Sequence, residues 1–274
     1  MVVFPNAKIN IGLNILRRRP DSYHDIISAI VPIPWCDVLE IVPAKGTATT
    51  LHTSGRCVDC PPEKNLVMKA YRSLSEVAPL PPVDIYLRKI IPDGAGLGGG
   101  SADAAFTLTA LNDMFALDLP MDTLARIAAS IGADCPFFIY NKPMLATGTG
   151  TTLSPLPELS LSGLTIAVIK PQVHVSTAVA YASVTPHIPS TPLTQLLPLP
   201  IGRWRGNIVN DFEPGISAIH PVIAEIKQWL YDAGALYASM SGSGSALFGI
   251  FDNDILADTL REAWSDCDIF CARI

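Results

Sequence analysis

Charge is scarce in this sequence. Asp, Glu, Lys and Arg together make 16% of the 274 residues and 49% are hydrophobic, so the chain is globular with much buried surface, in one large domain or two smaller ones. Long apolar runs are missing. None reaches the ~18 residues of a membrane span, so no membrane partner is expected. The opening Met1-Val2-Val3-Phe4-Pro5 lacks the basic start and long apolar core of a secretory signal. A basic excess is missing as well. The formal net charge of −6 argues against a nucleic-acid surface, and Arg17-Arg18-Arg19 is too short a run to overturn that. Six cysteines are present, but not in the manner of a disulfide scaffold. Cys57-Val58-Asp59-Cys60 is a C-x-x-C without a second well-spaced pair, since Cys267 and Cys271 stand three residues apart near the end of the chain, so no zinc site is expected. This usage fits the cytoplasm.

What the sequence does have is glycine in one place. Residues 91–105 read Ile91-Pro92-Asp93-Gly94-Ala95-Gly96-Leu97-Gly98-Gly99-Gly100-Ser101-Ala102-Asp103-Ala104-Ala105, with no large polar side chain among the glycines. A strand pattern over 83–87 leads in. A helical pattern leads out, with Ala104, Leu108, Leu111 and Phe115 on one face. Ser101 is expected to cap that helix, and free N–H groups at a helix start favour an anion, so the stretch reads as a phosphate cradle made of backbone. Two familiar cradles are excluded. A Rossmann site needs a second strand after the helix, but another helix follows over 121–131. A Walker A loop needs a lysine behind its glycines, and none is there.

Along the chain, residues 2–16 predict one long strand. Ile9, Ile11, Leu13 and Ile15 form its apolar face, and Lys8 and Asn10 lie side by side on the other, a polar face that alternation alone leaves open between solvent and a site. Strands are expected over 26–33 and 38–43 and a helix over 63–78. Gly132 is expected to end the 121–131 helix as its C-cap. Beyond it, Asp134 stands beside Cys135-Pro136-Phe137-Phe138, an acid at the edge of a core, which is how a general base acquires a useful pKa. A soft domain boundary falls over 153–163. The second part predicts a strand over 164–169, a short helix capped by Ser176 and a proline-rich surface loop over 186–200. A helix follows, with Ile219, Ile223, Ile226 and Leu230 aligned, then a small-residue loop over 237–245, a strand over 246–251, a helix over 254–264 and a strand over 268–272. That order is a split ferredoxin-like α+β pattern.

Three stretches carry a resemblance: Ala7-Lys8-Ile9-Asn10-Ile11 with Arg19-Pro20-Asp21-Ser22-Tyr23-His24, residues 92–103, and Ser239-Met240-Ser241-Gly242-Ser243-Gly244-Ser245. In these the chain resembles the GHMP small-molecule kinases. The Tyr-His pair and Gly132-Ala133-Asp134-Cys135-Pro136-Phe137-Phe138 resemble the branch acting on cytidine-diphosphate-linked methylerythritol, in the non-mevalonate route to isoprenoids. The resemblance implies an α+β, two-domain GHMP kinase fold: an N-terminal ribosomal-S5-like α/β domain, 1–157, a C-terminal ferredoxin-like domain, 158–274, and a cleft between them. It implies Lys8 and Asp134 as the catalytic pair. ATP would lie against Asn65, Lys89, Pro92, Gly94, Gly96, Leu97, Gly98, Gly99, Gly100 and Ser101, with Ser241, Gly242, Ser243 and Gly244 closing over phosphates. Asn10, Tyr23, His24, Thr177 and Tyr181 would face the acceptor, Tyr181 stacking on cytosine opposite His24. Mg²⁺ would accompany ATP, with Ser101 and Asp103 left open as ligands and no residue assigned. A monomer or weak homodimer is expected. Ser22 departs from the family's usual glycine, and at positive φ it would cost about 1 kcal/mol. Another GHMP kinase, of homoserine or mevalonate type, and a catalytically silent nucleotide-binding homologue are the competing readings.

Overall fold

A computed structural model describes residues 1–57, 60–253, 255 and 257–274. The middle of the C-x-x-C, Val58 and Asp59, and the expected start of the last helix, Asp254, lie outside the described residues.

In chain order, a short strand Val2–Val3 (β1) is followed by Asn6–Arg18 (β2). The single strand expected over 2–16 is broken at Phe4-Pro5, where proline has no N–H for a ladder. His24–Cys36 (β3) and Val38–Pro43 (β4) come next, then Thr50–Gly55 (β5), for which the sequence has no apolar alternation. Leu66–Ser75 (α1) is capped by Asn65, whose Oδ1 accepts from Val67 N at 2.9 Å. Val83–Lys89 (β6) leads through residues 90–98 into Gly99–Met114 (α2). Met121–Ile131 (α3) has the expected bounds, but Gly132 is extended at φ −173°, a conformation open to any residue, so it is no left-handed cap. Cys135–Tyr140 (α4) buries Phe137 and Phe138 in a helix too short for periodicity to reveal. Met144–Gly148 (β7) and Thr152–Pro155 (β8) are further strands not expected from the sequence.

The chain continues through Thr165–Lys170 (β9) and Thr177–Ala182 (α5), where Val179 N donates to the capping Ser176 Oγ. The expected surface loop over 186–200 contains Leu193–Leu196 (α6), anchored by the buried Leu193. Glu213–Ile219 (α7) and Val222–Asp232 (α8) correct the alignment of Ile219 with the next helix. Ile219 ends α7 and is 53% exposed, while Ile223, Ile226 and Leu230 are fully buried on α8. Tyr237–Met240 (β10) claims the first half of the expected small-residue loop, followed by Leu247–Phe251 (β11), Ala257–Ala263 (α9) and Asp268–Arg273 (β12).

Packing divides the described residues into two compact units, neither continuous in sequence, a partition of a different kind from the compositional boundary over 153–163. The first comprises Met1–Ala7, Trp35–Asp93 and Gly98–Lys142. Its sheet runs β1-β4-β6-β5, with β5 parallel to β6 and the other pairs antiparallel. Leu39, Ile41, Val83, Ile85 and Leu87 turn a buried row inward, and α1, α2, α3 and α4 pack against one another.

The second unit comprises Lys8–Pro34, Gly94–Leu97 and Pro143–Ile274. One of its sheets runs β10-β11-β9-β12, antiparallel throughout, which is the ferredoxin-like order expected. The buried faces of α7 and α8 join Ala167, Ile169, Leu247 and Phe251 in one core that also takes in Leu13 and Ile15 of β2. The other sheet runs β2-β3-β7-β8. The outer edge of β2 is covered by loops: Lys8 N donates to Leu97 O, Leu13 N to Val209 O, and Asp211 N to Leu13 O. This decides the open reading of the polar face, because Lys8, Asn10 and Asn14 are buried, at 4%, 5% and 5% exposure. Among the described residues no helix is long and apolar enough to cross a membrane.

Candidate active site

The glycine stretch has one job at its end and another in its middle. At its end, α2 starts two residues before Ser101. Gly98, at φ 72°, is the N-cap, and no side chain caps the helix. Ser101 is therefore inside the first turn, which corrects its expected capping role. The first helical bond runs from Ala102 N to Gly98 O, so the N–H groups of Gly99, Gly100 and Ser101 precede it. Sixteen aligned residues add a helix dipole behind them, the arrangement that receives a phosphate.

In its middle, the stretch touches the second small-residue loop. A Cβ on Gly96 would lie 2.0 Å from Ser241 O, so only glycine lets the two backbones meet. Ser241 Oγ donates to Gly96 O at 2.9 Å and accepts from Asn10 N at 3.2 Å, and Ala246 N donates to Ala95 O. Asn210 Nδ2 donates to Met240 O and Gly242 O, both at 2.8 Å, and Ser245 Oγ donates to Val173 O. Ser241 and Ser245 are fully buried, Gly242 and Gly244 are buried, and Ser243 is half-buried.

Lys8 belongs to the second unit and is 4% exposed. Its Nζ donates to Asn10 Oδ1 at 2.5 Å, Asn10 Nδ2 donates to Ser28 Oγ, and Ser28 Oγ donates to Gly12 O. The relay fixes Asn10 by both ends of its amide. Asp134 belongs to the first unit. It is half-buried at the N-cap position of α4, with its side chain not used as the cap. The next residue, Cys135, is buried and its thiol is in hydrogen-bond contact with Ser101. Burial pushes that thiol up to about 11, so it stays protonated.

His24 and Tyr181 stack directly, ring centroids 4.7 Å apart and 18° from parallel, and Phe212 supports Tyr181 edge-on at 4.9 Å. The stack leaves no room for a third ring between His24 and Tyr181. Tyr23 beside them is 66% exposed, and Thr177, at the first residue of α5, is exposed. The turn ahead of the pair puts Ser22 at φ 68°, the strained conformation anticipated for a residue in place of glycine. It is held by Tyr23 N donating to Asp21 Oδ1 and by Arg19 paired with Asp21 and Asp25.

Near the α2 start, a pocket of about 290 Å³ in the first unit is lined by Asn65, Leu66, Lys89, Asp93 and Gly100, among others. Pro92 is buried at its margin of the loop. Asn65 thus caps a helix and lines a pocket at once. The Lys89 ammonium is paired with Asp37 and Asp103.

Comparison with known proteins agrees along the whole chain. GHMP kinases N terminal domain matches residues 65–142 and GHMP kinases C terminal matches 200–268. The 4-diphosphocytidyl-2-C-methyl-D-erythritol kinase of Parabacteroides distasonis is 52% identical over 92% of each chain. The chain belongs to the 4-diphosphocytidyl-2-C-methyl-D-erythritol kinases. The kinase of that name from Porphyromonas gingivalis is 48% identical over 97% of each chain. A crystal structure of a 4-(cytidine 5'-diphospho)-2C-methyl-D-erythritol kinase superposes with a TM-score of 0.83 at 31% identity, covering 99% of this chain and 98% of that one. As a member of this kinase family the chain is an ATP-dependent small-molecule kinase.

For this 4-diphosphocytidyl-2-C-methyl-D-erythritol kinase family member, some of the polar groups that shape the site are not legible as site residues in sequence. Asp37, Ser28 and Asn210 are the clearest. Asp37 is fully buried between β3 and β4, and its signal is an acid inside an otherwise apolar stretch. Asn210 and Ser28 have no local signal, because their partners are distant in the chain. Among the described residues no three His, Cys, Asp or Glu side chains gather into a metal site.

Proposed function

We propose that the chain transfers the γ-phosphoryl group of ATP to the 2-hydroxyl of 4-diphosphocytidyl-2-C-methyl-D-erythritol, giving the 2-phosphate and ADP in the non-mevalonate route to isoprenoid precursors. The near full-length identity of 52% to a kinase of that name carries this reading. In it, the N–H groups at the start of α2 hold the phosphates, and Asp134 takes the proton of the acceptor hydroxyl as its oxygen bonds to phosphorus and the bond to the ADP oxygen breaks. Lys8 steadies the charge on the transferred group, and Asn10 holds the Lys8 ammonium from one side. Tyr23, His24, Thr177 and Tyr181 face the cytidyl end, with the His24–Tyr181 stack opening to admit the base. The assignment of 1–157 and 158–274 as the two GHMP domains, a cytoplasmic setting, and a monomer or weak homodimer belong to the same reading.

Mg²⁺ is part of the proposal as ATP's companion ion, where it would neutralise phosphate charge. It fits an ion held mainly by phosphates and water, because the Asp37 and Asp103 carboxyl groups near the α2 start are already bonded to Lys89. No side chain is assigned to it.

The test is ADP release with the cytidylated acceptor, mevalonate and homoserine in parallel. Turnover is expected with the first alone, and turnover with either other alcohol would reassign the acceptor. Asp134→Asn and Lys8→Ala are each expected to lose on the order of 10² or more in kcat. A nearly unchanged kcat in Asp134→Asn would remove it as the base.

A further inference from the structure

Lys89 ends β6 and is 2% exposed, so its ammonium must be matched inside the protein. It donates to Asp37 Oδ2 at 2.5 Å and to Asp103 Oδ2 at 2.8 Å, and Asp93 Oδ1 stands 3.9 Å away. The three partners sit on different pieces of the first unit. Asp37 joins β3 to β4, Asp93 is within the glycine loop, and Asp103 is in α2.

Asp37 does more than balance charge. Its other oxygen accepts from Ile90 N at 2.5 Å and Ile91 N at 2.9 Å, the first two residues after β6. The entry of the glycine loop is thus bonded to Asp37, and its exit helix is bonded to Asp103 through the same ammonium. The ammonium also lies against the first turn of α2: a Cβ on Gly99 would come 3.2 Å from Nζ. One lysine therefore ties both ends of the loop.

Two carboxyl groups share one ammonium under a helix start read as a phosphate site. Asp103 Oδ1 is buried without a hydrogen-bond partner, whereas both Asp37 oxygens are bonded, so Asp103 is the less fully satisfied arm. A buried ion pair is weak evidence for stability because desolvation offsets its attraction, so bonds to both ends of the loop point to geometry.

We propose that Lys89 is a positioning residue. Acting through Asp37 and Asp103, it holds both ends of the glycine loop so that the N–H groups at the start of α2 face the nucleotide's phosphates, and its ammonium does not itself bind the nucleotide. This rests on the reading of that loop as the ATP site, and it replaces the assignment of Lys89 as an ATP ligand.

The test uses the full chain and needs no acceptor: calorimetric binding of a non-hydrolysable ATP analogue, with thermal unfolding measured alongside. Asp103→Ala removes the α2 arm and leaves Lys89 with Asp37 in charge balance, so the fold is expected to persist. The analogue's Kd is expected to rise about tenfold, the scale of lost preorganisation. Asp103→Asn, whose amide oxygen accepts from Nζ, is expected to restore binding to within about twofold. Lys89→Met is expected to match Asp103→Ala, and the double variant to be no weaker than the weaker single one. Weaker binding in Lys89→Met with unchanged binding in Asp103→Ala would make Lys89 a direct ligand and overturn the proposal. A lower Tm with unchanged Kd in Asp103→Ala would make the cluster merely structural and overturn it too. If Lys89→Met does not fold, the Asp103 pair of variants still decides. A wild-type chain that fails to bind the analogue would instead overturn the ATP-site reading on which the proposal stands.

Discussion

Residues 90–98 and residues 241–245 are both short and rich in glycine and other small residues, yet their hydrogen bonding differs. The first ends in a helix whose leading N–H groups point out of the chain's own hydrogen bonding. The second joins β10 to β11, and its polar groups are bonded inward: Ser241 to Gly96, Ser245 to Val173, and the carbonyls of Met240 and Gly242 to Asn210. The two meet at Gly96. There Ser241 Oγ donates to Gly96 O and Ala246 N to Ala95 O. Composition alone does not distinguish them, because glycine serves both a backbone that must approach a ligand and a backbone that must approach another backbone.

The largest effect expected from breaking this arrangement is at Gly96. Gly96→Ala sets a Cβ 2.0 Å from Ser241 O at φ 76°, with backbone on both sides, and is expected to lose about 3 kcal/mol in urea unfolding. Gly244→Ala meets Met240 Sδ at 2.7 Å, a flexible side chain, and is expected to lose about 1–2 kcal/mol from its left-handed φ. Equal losses would mean the loops do not brace each other at Gly96. Asn210→Ala strands two carbonyls of the second loop and the Phe212 N–H, with an expected loss of about 2–3 kcal/mol by the same measurement. Ser245→Ala is expected to lose about 1 kcal/mol while leaving the affinity for an ATP analogue unchanged. Weaker binding there would move the second loop among the ligand-makers.

A smaller effect separates the loops by pH. Burial raises the Asp103 carboxyl under the first loop to about 7, with Lys89 opposing, while burial also works against the Lys89 charge and the two carboxylates outweigh it. A carboxyl raised from about 4 favours the fold while protonated, so its contribution is complete below pH ~4 and fades as pH rises through about 7. Wild type and Asp103→Asn should therefore unfold at similar temperatures relative to one another at pH 4, and the variant should gain on the order of 1 kcal/mol, about 2–4 °C in Tm, by pH 8. No change in the difference with pH would place the Asp103 proton elsewhere.

Sequence carried the glycine loop, its helix, the bounds of α3, the Ser176 cap and the ferredoxin-like order, because each has a local pattern: a period, a cap or a breaker. It missed β5, whose residues are mostly exposed and polar, and α4, which is six residues long. It left Lys8 and Asn10 undecided between solvent and a site because alternation reports one apolar face. It does not report that loops from residues 97 and 209–211 cover the strand's other edge. The site was legible as a set of motifs. The bonds that hold it, from Asp37, Ser28 and Asn210, were not, since each joins residues distant in sequence or carries no periodic signal.

Strand β2 has a consequence for synthesis. Its residues from Lys8 onward pack with Pro143–Ile274, and its outer edge is closed by bonds to Val209 and Asp211. At about 5–20 residues per second, the ribosome leaves that edge and the apolar row of Ile9 to Ile15 without partners for on the order of 10–40 s. A nascent chain halted at residue 157 is expected to be cut by protease near this strand, and one extended past residue 251 to be protected. For most of its manufacture, the first long strand of this kinase waits for the segments that cover its edge.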